Sequence, residues 1–140
     1  MNLKELKKAN GDIFFEARRQ HNNAFIYVNW IGIQTLETVV MGSNHILALL
    51  RYQPCTGILN SNKELIGPWE HSINWLTYKW VPEIKNLGVR YFAHVMGPGI
   101  YGQNSFKKFQ ASNQHQLKIA SFTDEKEAEE WLLSSNKVWI

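Results

Sequence analysis

One cysteine, Cys55, is all that the 140 residues contain, which excludes an intrachain disulfide and a cysteine-based zinc site. The residue reads instead as a small buried hydrophobe. Long apolar runs are also missing. None approaches the roughly 20 residues that span a bilayer, because Asn29, Gly42, Ser43 or His45 interrupts each of the longest stretches, so stable membrane insertion is not expected. Excess charge of one sign is absent too, since 15 basic against 12 acidic residues leave a formal charge of +3. The basic side chains Lys4, Lys7, Lys8, Arg18, Arg19, Lys107 and Lys108 are scattered rather than gathered on one helical face. They read as a solvated exterior, and no nucleic-acid partner is expected. The first ten residues are polar and lysine-bearing, without the apolar stretch of an export signal, and the expected location is cytoplasmic.

A chain of this length with 44% hydrophobic residues can bury one core, and residues 1–140 are expected to form a single domain. Ile13 to Arg18 and Ala24 to Ile31 are β-branched and aromatic runs separated by the polar stretch Arg19 to Asn23, which predicts an antiparallel hairpin. The period then changes. Leu36, Val39, Val40, Ile46, Leu47 and Leu50 share one face of a helix over about 34–52, ended by Pro54. Gly42 and Ser43 lie inside it, where a glycine costs about 1 kcal/mol of helix propensity, and the pair predicts a close approach of the helix to a neighbour.

Thr56 to Leu59 reads as a buried strand that delivers the polar loop Asn60, Ser61, Asn62, Lys63. Ile73, Leu76, Trp80, Ile84 and Leu87 then recur at helical spacing up to Gly88, with Pro82 predicting a kink or break near 78–81. Arg90 to Met96 is an apolar strand ended by Gly97, Pro98 and Gly99. A short helix over 102–109, a strand over 117–122 and a helix over 124–133 complete the order, with Asp124 and Glu127 at capping-box spacing. The expected architecture is α/β: a single mixed, mostly parallel five-stranded sheet with an N-terminal antiparallel hairpin and about four helices.

Signatures of chemistry are sparse. The histidines His21, His45, His71, His94 and His115 lack the close pairs that place two metal ligands on one face, and no metal is expected. His94, in an apolar strand, reads as a hydrogen-bonded core histidine, and His71 as solvated. Cys55 and Ser61 have no activating context, so no catalytic residue is assigned. Gly97-Pro98-Gly99 lacks the Lys and the Ser or Thr of a Walker-type loop, is read as a turn, and no cofactor is expected. Six tryptophans are the unusual feature. Trp69, Trp75 and Tyr78 fall partly outside the inward face of their helix and form a candidate interface, including one for self-association as a homodimer.

The segments "ILNSNKEL" from Ile58, "INWLTYKWVPEIKNLGVRYFAHV" from Ile73, "YGQNSF" from Tyr101 and "FTDEKEAEEWL" from Phe122 together resemble the SpoIIAA-like family of small bacterial STAS-fold proteins, over nearly the whole chain. The resemblance implies that fold. Antagonist members of the group carry a phosphorylated serine in the loop after the third strand, and Ser61 occupies a comparable loop, although Asn60 replaces the aspartate that usually precedes it. The expected function is a non-enzymatic regulatory or protein-interaction module. Its contacts would run through Asn60, Ser61, Asn62 and Lys63 and through the aromatic helix, to an unidentified protein partner or a second copy of the chain. The alternative is a carrier of a small apolar ligand held between the sheet and the kinked helix.

Overall fold

Aromatic and β-branched side chains favour a pleated, half-buried surface, and Ile13–Gln20 (β2) and Phe25–Ile33 (β3) pair antiparallel as the sequence predicts. The computed structural model describes residues 3–135. His21, Asn22 and Asn23 turn the hairpin with φ of 52, 55 and 68°, a left-handed conformation that Asn and His tolerate better than most residues. The Asn23 amide donates to the Pro54 carbonyl at 2.9 Å, and the Arg19 guanidinium donates to Asn23 Oδ1 and to the Leu49 carbonyl. Arg19 is therefore buried rather than part of the solvated exterior, because it ties the hairpin to the helix beside it.

Among the described residues the sheet has six strands, not five. The additional strand, Lys4–Lys7 (β1), pairs antiparallel with β2 at the edge. Only Leu6 of this strand is partly buried, so it shows no alternating pattern, and its lysines suit an exposed edge. Beyond β3 every pairing is parallel: Gly57–Ile66 (β4), Tyr91–Val95 (β5) and Lys118–Phe122 (β6) follow in chain order.

Helix α1 (Leu36–Tyr52) opens with a reciprocal capping box between Thr35 and Thr38 and ends just before Pro54. Gly42 has the role its position suggests. A Cβ there would lie 2.5 Å from Trp30 Cη2 and 2.7 Å from a Phe15 ring carbon, so only glycine lets α1 close onto the β2–β3 aromatics.

The second crossover is segmented. A 3₁₀ turn (Glu70–Ser72) leads to a short α2 (Ile73–Trp75), a π-helical turn (Leu76–Trp80) and α3 (Val81–Asn86). Proline has no N–H to donate to the carbonyl four residues earlier, and here the break takes the form of a wider turn in which the Val81 N–H bonds the Leu76 carbonyl. Leu76, Trp80 and Ile84 still reach the core. Gly88, at φ 106°, ends the segment as expected.

Helix α4 (Ile100–Asn113) is longer than its sequence pattern suggested, and α5 (Glu125–Ser135) follows β6. The Asp124 carboxylate accepts from the Lys126 N–H at 3.1 Å, a cap made at the second helical position rather than through Glu127. Helices α1 to α4 cover one face of the sheet around the larger core, which holds Phe15, Trp30, Ile58, Trp80, Phe92 and Phe106. Helix α5 alone covers the other, packing Ala128 and Leu132 on Phe25, Leu59 and Val95.

The contact at Gly42 leaves no room for a larger residue. Gly42→Val is expected to lower the unfolding free energy by about 2 kcal/mol through overpacking against Trp30, read as a reduced urea midpoint with unchanged slope. An unaltered midpoint would show that α1 can withdraw from the sheet at no cost.

Candidate functional site

Asn60, Ser61 and Asn62 were expected in a solvent loop, but β4 continues through them to Ile66 and all three are buried. The reason lies in their partners. Trp30 Nε1–H can only donate, and it gives its hydrogen bond to Asn60 Oδ1 at 2.8 Å. That orients the Asn60 amide nitrogen toward His94 Nδ1, 3.1 Å away, so Nδ1 accepts and the ring proton resides on Nε2. The His94 ring stacks on Phe106 with centroids 3.9 Å apart and planes 3° from parallel. His94 is thus the hydrogen-bonded core histidine that the sequence suggested. Burial pushes its pKa down from 6.5 to about 3, since a charged ring would be desolvated.

A β-bulge lies just beyond. Between the pairs Asn29↔Ser61 and Ile31↔Glu64 the register shifts, with Asn62 and Lys63 of β4 opposing Trp30 alone. A bulge re-aims the side chains that follow it, and here Asn62 and Leu65 both face the helices. They help to line a cavity of about 40 Å³ closed by Trp30, Trp69, Leu76 and Trp80. Three polar atoms on its lining residues, Ser43 Oγ, Asn62 Nδ2 and Trp69 Nε1, have no hydrogen-bond partner among the described residues. All three can donate. The volume exceeds the 10–15 Å³ or so that one water requires, so water or a ligand's acceptor atom can satisfy them.

The bulge also marks where β4 outruns β5. Pairing with β5 ends at Ser61↔Val95, and beyond it the segment Gly97–Gly102 lies against the free side of β4. A Cβ on Gly97 would sit 2.3 Å from the Asn62 carbonyl oxygen, and one on Gly102 would sit 3.2 Å from Leu65 Cδ2. At this carboxyl end of the parallel strands, large apolar side chains reach solvent. Ile33 is 62% exposed, Ile66 61%, Ile100 58% and Tyr101 66%. Ile33 and Ile66 are register partners on the face opposite Leu65, whereas the Gly102–Leu65 contact places the Ile100–Tyr101 turn at the same end of the sheet on its helical side.

The residues singled out in the sequence therefore separate. Asn60 and Asn62 face the helical side of the sheet. Ser61 is 3% exposed, and its Oγ accepts from the Lys63 N–H at 3.3 Å; Lys63 itself is exposed. Trp69, expected at an outer face, forms part of the cavity wall, because it precedes the 3₁₀ turn with its backbone N–H held by Ser105 Oγ at 3.0 Å. Trp75 is half-buried against the core, while Tyr78 is 76% exposed. Cys55 is buried, and burial raises its thiol pKa. The exposed rim went unnoticed in the sequence because its members come from three separate elements.

On the opposite face the Asn29 amide donates to Glu16 at 3.0 Å and to Glu64 at 2.6 Å. Nearby, burial, with the carboxylates of Glu125 and Glu16, pushes the Tyr27 hydroxyl up to about 12. Among the described residues no group of three histidine, cysteine or acidic side chains converges on a common point.

An antiparallel hairpin leading into a parallel sheet, with the crossover helices on one face and a terminal helix on the other, defines a SpoIIAA-like STAS fold. The chain superposes on a solved structure of the anti-sigma factor antagonist SpoIIAA in its unphosphorylated form with a TM-score of 0.60, 13% identity, and coverage of 84% of this chain and 95% of that one. At this identity the likeness is one of fold. No family model and no curated protein matches the sequence.

The buried imidazole generates a pH dependence with a definite sign. In the unfolded chain His94 titrates near 6.5, and in the fold only at about 3. Between those values the unfolded chain binds one more proton, so stability is retained above the window and falls as pH drops through it. Comparing urea unfolding at about pH 7 and pH 5, His94→Gln is expected to remove about 2 kcal/mol of the wild-type loss. An equal loss in both proteins would show that His94 is not held neutral.

Proposed function

We propose that the chain is a non-enzymatic regulatory module that binds a partner protein through the rim formed by Ile33, Ile66, Ile100 and Tyr101. The observation that carries this reading is the exposure of four large apolar side chains at one end of the sheet. Isolated exposed apolar residues are ordinary, but four of them at the end of the sheet where the strand-to-helix turns emerge favour an interaction surface. Exposed Tyr and Ile on a rigid strand end or helix start also lose little side-chain freedom on docking. The fold gives further support, since the similar structure is that of an anti-sigma factor antagonist, a protein whose described role is regulatory. Lys63 and Tyr78 are the members of the two earlier candidate segments that a partner can reach.

A phosphate on Ser61 has less support. Ser61 is a buried residue of β4, where a charge of about −2 would have to be desolvated or β4 displaced. An apolar ligand carrier also has less support, because the cavity between the sheet and the segmented crossover, about 40 Å³, is well below the roughly 150 Å³ of one that admits benzene, and the larger hollow beside Pro82, about 380 Å³, is lined mostly by polar residues such as Asn74, Thr77, Ser112 and Gln116.

The test is capture of partners by the full chain from extracts of its own host, with light scattering of the purified protein to register a second copy as the partner. Ile33→Asp combined with Ile66→Asp is expected to abolish the complex, whether with another protein or with itself. Thermal stability should change little, because both side chains are mostly exposed. Retention of the same complex by the double variant would overturn the docking surface.

A further inference from the structure

We propose that the segment Gly97–Gly102, at the amino end of α4, binds the phosphoryl group of a small phosphate monoester, with the Asn62 side chain as a donor. The proposal does not rest on the partner-docking reading. Its starting point is a spacing that the reading of Gly97-Pro98-Gly99 as a simple turn passed over: Gly97-Pro98-Gly99-Ile100-Tyr101-Gly102 has the pattern Gly-x-Gly-x-x-Gly. The pattern alone is weak. It acquires meaning only between a strand and a helix within a βαβ unit, and β5, α4 and β6 supply that unit.

The three glycines are not equivalent. Gly97 is required by packing, because a Cβ would collide with the Asn62 carbonyl oxygen at 2.3 Å. Gly102 lets the helix settle on β4, with Leu65 Cδ2 3.2 Å and the Gly67 carbonyl 3.5 Å from a Cβ position. Gly99 has neither reason. Its φ of −83° and ψ of 133° suit any residue, and nothing lies within 4 Å of its Cβ position. What the missing side chain leaves open is the amino end of a 14-residue helix whose first turn has no side-chain cap. Uncapped N–H groups and the positive end of the helix dipole favour an anion there.

An independent feature points to the same place. Asn62, only 3% exposed, lines the small recess formed with Gly97, Gly99, Gly102 and Gln103, and its Nδ2 has no hydrogen-bond partner among the described residues. A buried donor without a partner costs about 1–3 kcal/mol, so its retention beside an open helix terminus calls for an acceptor. Gln103 Nε2 donates to the Gly97 carbonyl at 2.9 Å, which turns that oxygen away from the role of competing acceptor and braces the loop. The recess measures about 10 Å³, near the size of a single water. It admits one oxygen of a phosphoryl group whose other oxygens remain at the mouth, where the ester substituent extends past exposed Tyr101. No lysine or arginine lines the recess, so affinity depends on N–H groups and should be modest.

The test is titration of the ¹⁵N-labelled full chain with inorganic phosphate and with AMP, against chloride at matched ionic strength, followed by amide NMR. Saturable shifts are expected at residues 99 to 102 and at the Asn62 side-chain NH₂. Gly99→Val should weaken binding by about tenfold or more, the loss of one charge-assisted hydrogen bond, because its isopropyl group would stand over the open helix start and keep the anion from the N–H groups, while the variant melts like the wild type in its open surroundings. Equal affinity for the two probes would mean that the phosphoryl group alone is read, and tighter binding of AMP that the rim also contacts the nucleoside; either supports the site. Absence of saturable shifts at those residues up to about 50 mM phosphate, well past any useful affinity, would overturn it, as would unchanged binding by Gly99→Val. Ile33→Asp with Ile66→Asp should bind phosphate normally, which separates failure of this site from failure of the docking surface.

Discussion

The amide of Asn60 is the constraint on which the larger core depends. It stands in the middle of β4, with parallel strands on both sides, where an unpaired polar side chain would be costly. Both halves are used: the oxygen takes the Trp30 N–H and the nitrogen reaches His94. Each partner is then set against a helix, Trp30 against Gly42 of α1 and His94 against Phe106 of α4. The orientation admits no alternative, because the indole cannot accept and a flipped amide would meet it with a second donor. One asparagine thereby fixes the imidazole tautomer and the lateral order of β3, β4 and β5. The arrangement gives specificity rather than bulk stability, the role best attested for buried polar groups.

That same residue explains where sequence reasoning stopped. Hydrophobic period is a statement about faces, and it worked wherever one face is apolar: the β2–β3 hairpin, α1, the Pro82 break, the Gly88 stop, and the burial of His94 were all legible. Asn60-Ser61-Asn62-Lys63 carries no such signal. Its side chains look like a loop until Trp30 and His94, thirty or more residues away, are seen to satisfy one of them. Edge strand β1 was illegible for the opposite reason, since four residues with one apolar side chain form no period. Helix α4 begins earlier than its apolar stretch because it starts directly after the glycine loop, and it runs on through polar residues to Asn113, whose amide bonds the Phe109 carbonyl and Thr77 Oγ1. Trp69 was misplaced by running the helical period back to it, whereas it stands before the 3₁₀ turn at φ −135° and ψ 24°, where that period does not set the side-chain direction.

The candidate sites lie together for a topological reason. When strands run parallel in chain order, every strand-to-helix turn emerges at the same end of the sheet. Here the extension of β4 past β5 and its bulge add a step at that end, exposing Ile33 and Ile66 on one side of the step and seating Gly97–Gly102 on the other. A rim made of strand ends and helix starts is rigid, since each position is anchored by the sheet behind it. Little order would have to be created on binding, which is the condition under which a small surface can discriminate between partners.

Unused hydrogen-bonding capacity is gathered around one cavity here, although among the described residues single unpartnered atoms also occur at Asn29, His45, Ser72, His94 and Asn113. Ser43 Oγ, Asn62 Nδ2 and Trp69 Nε1 line one cavity without partners, although apolar residues of similar shape would fill such a wall at no desolvation cost. Asn62 is the member that borders both the cavity and the glycine recess, so any group that engages its amide at the surface acts on the wall of the interior cavity as well. The bulge is what allows this, by placing one strand residue between two spaces that a regular ladder would keep on the same closed face.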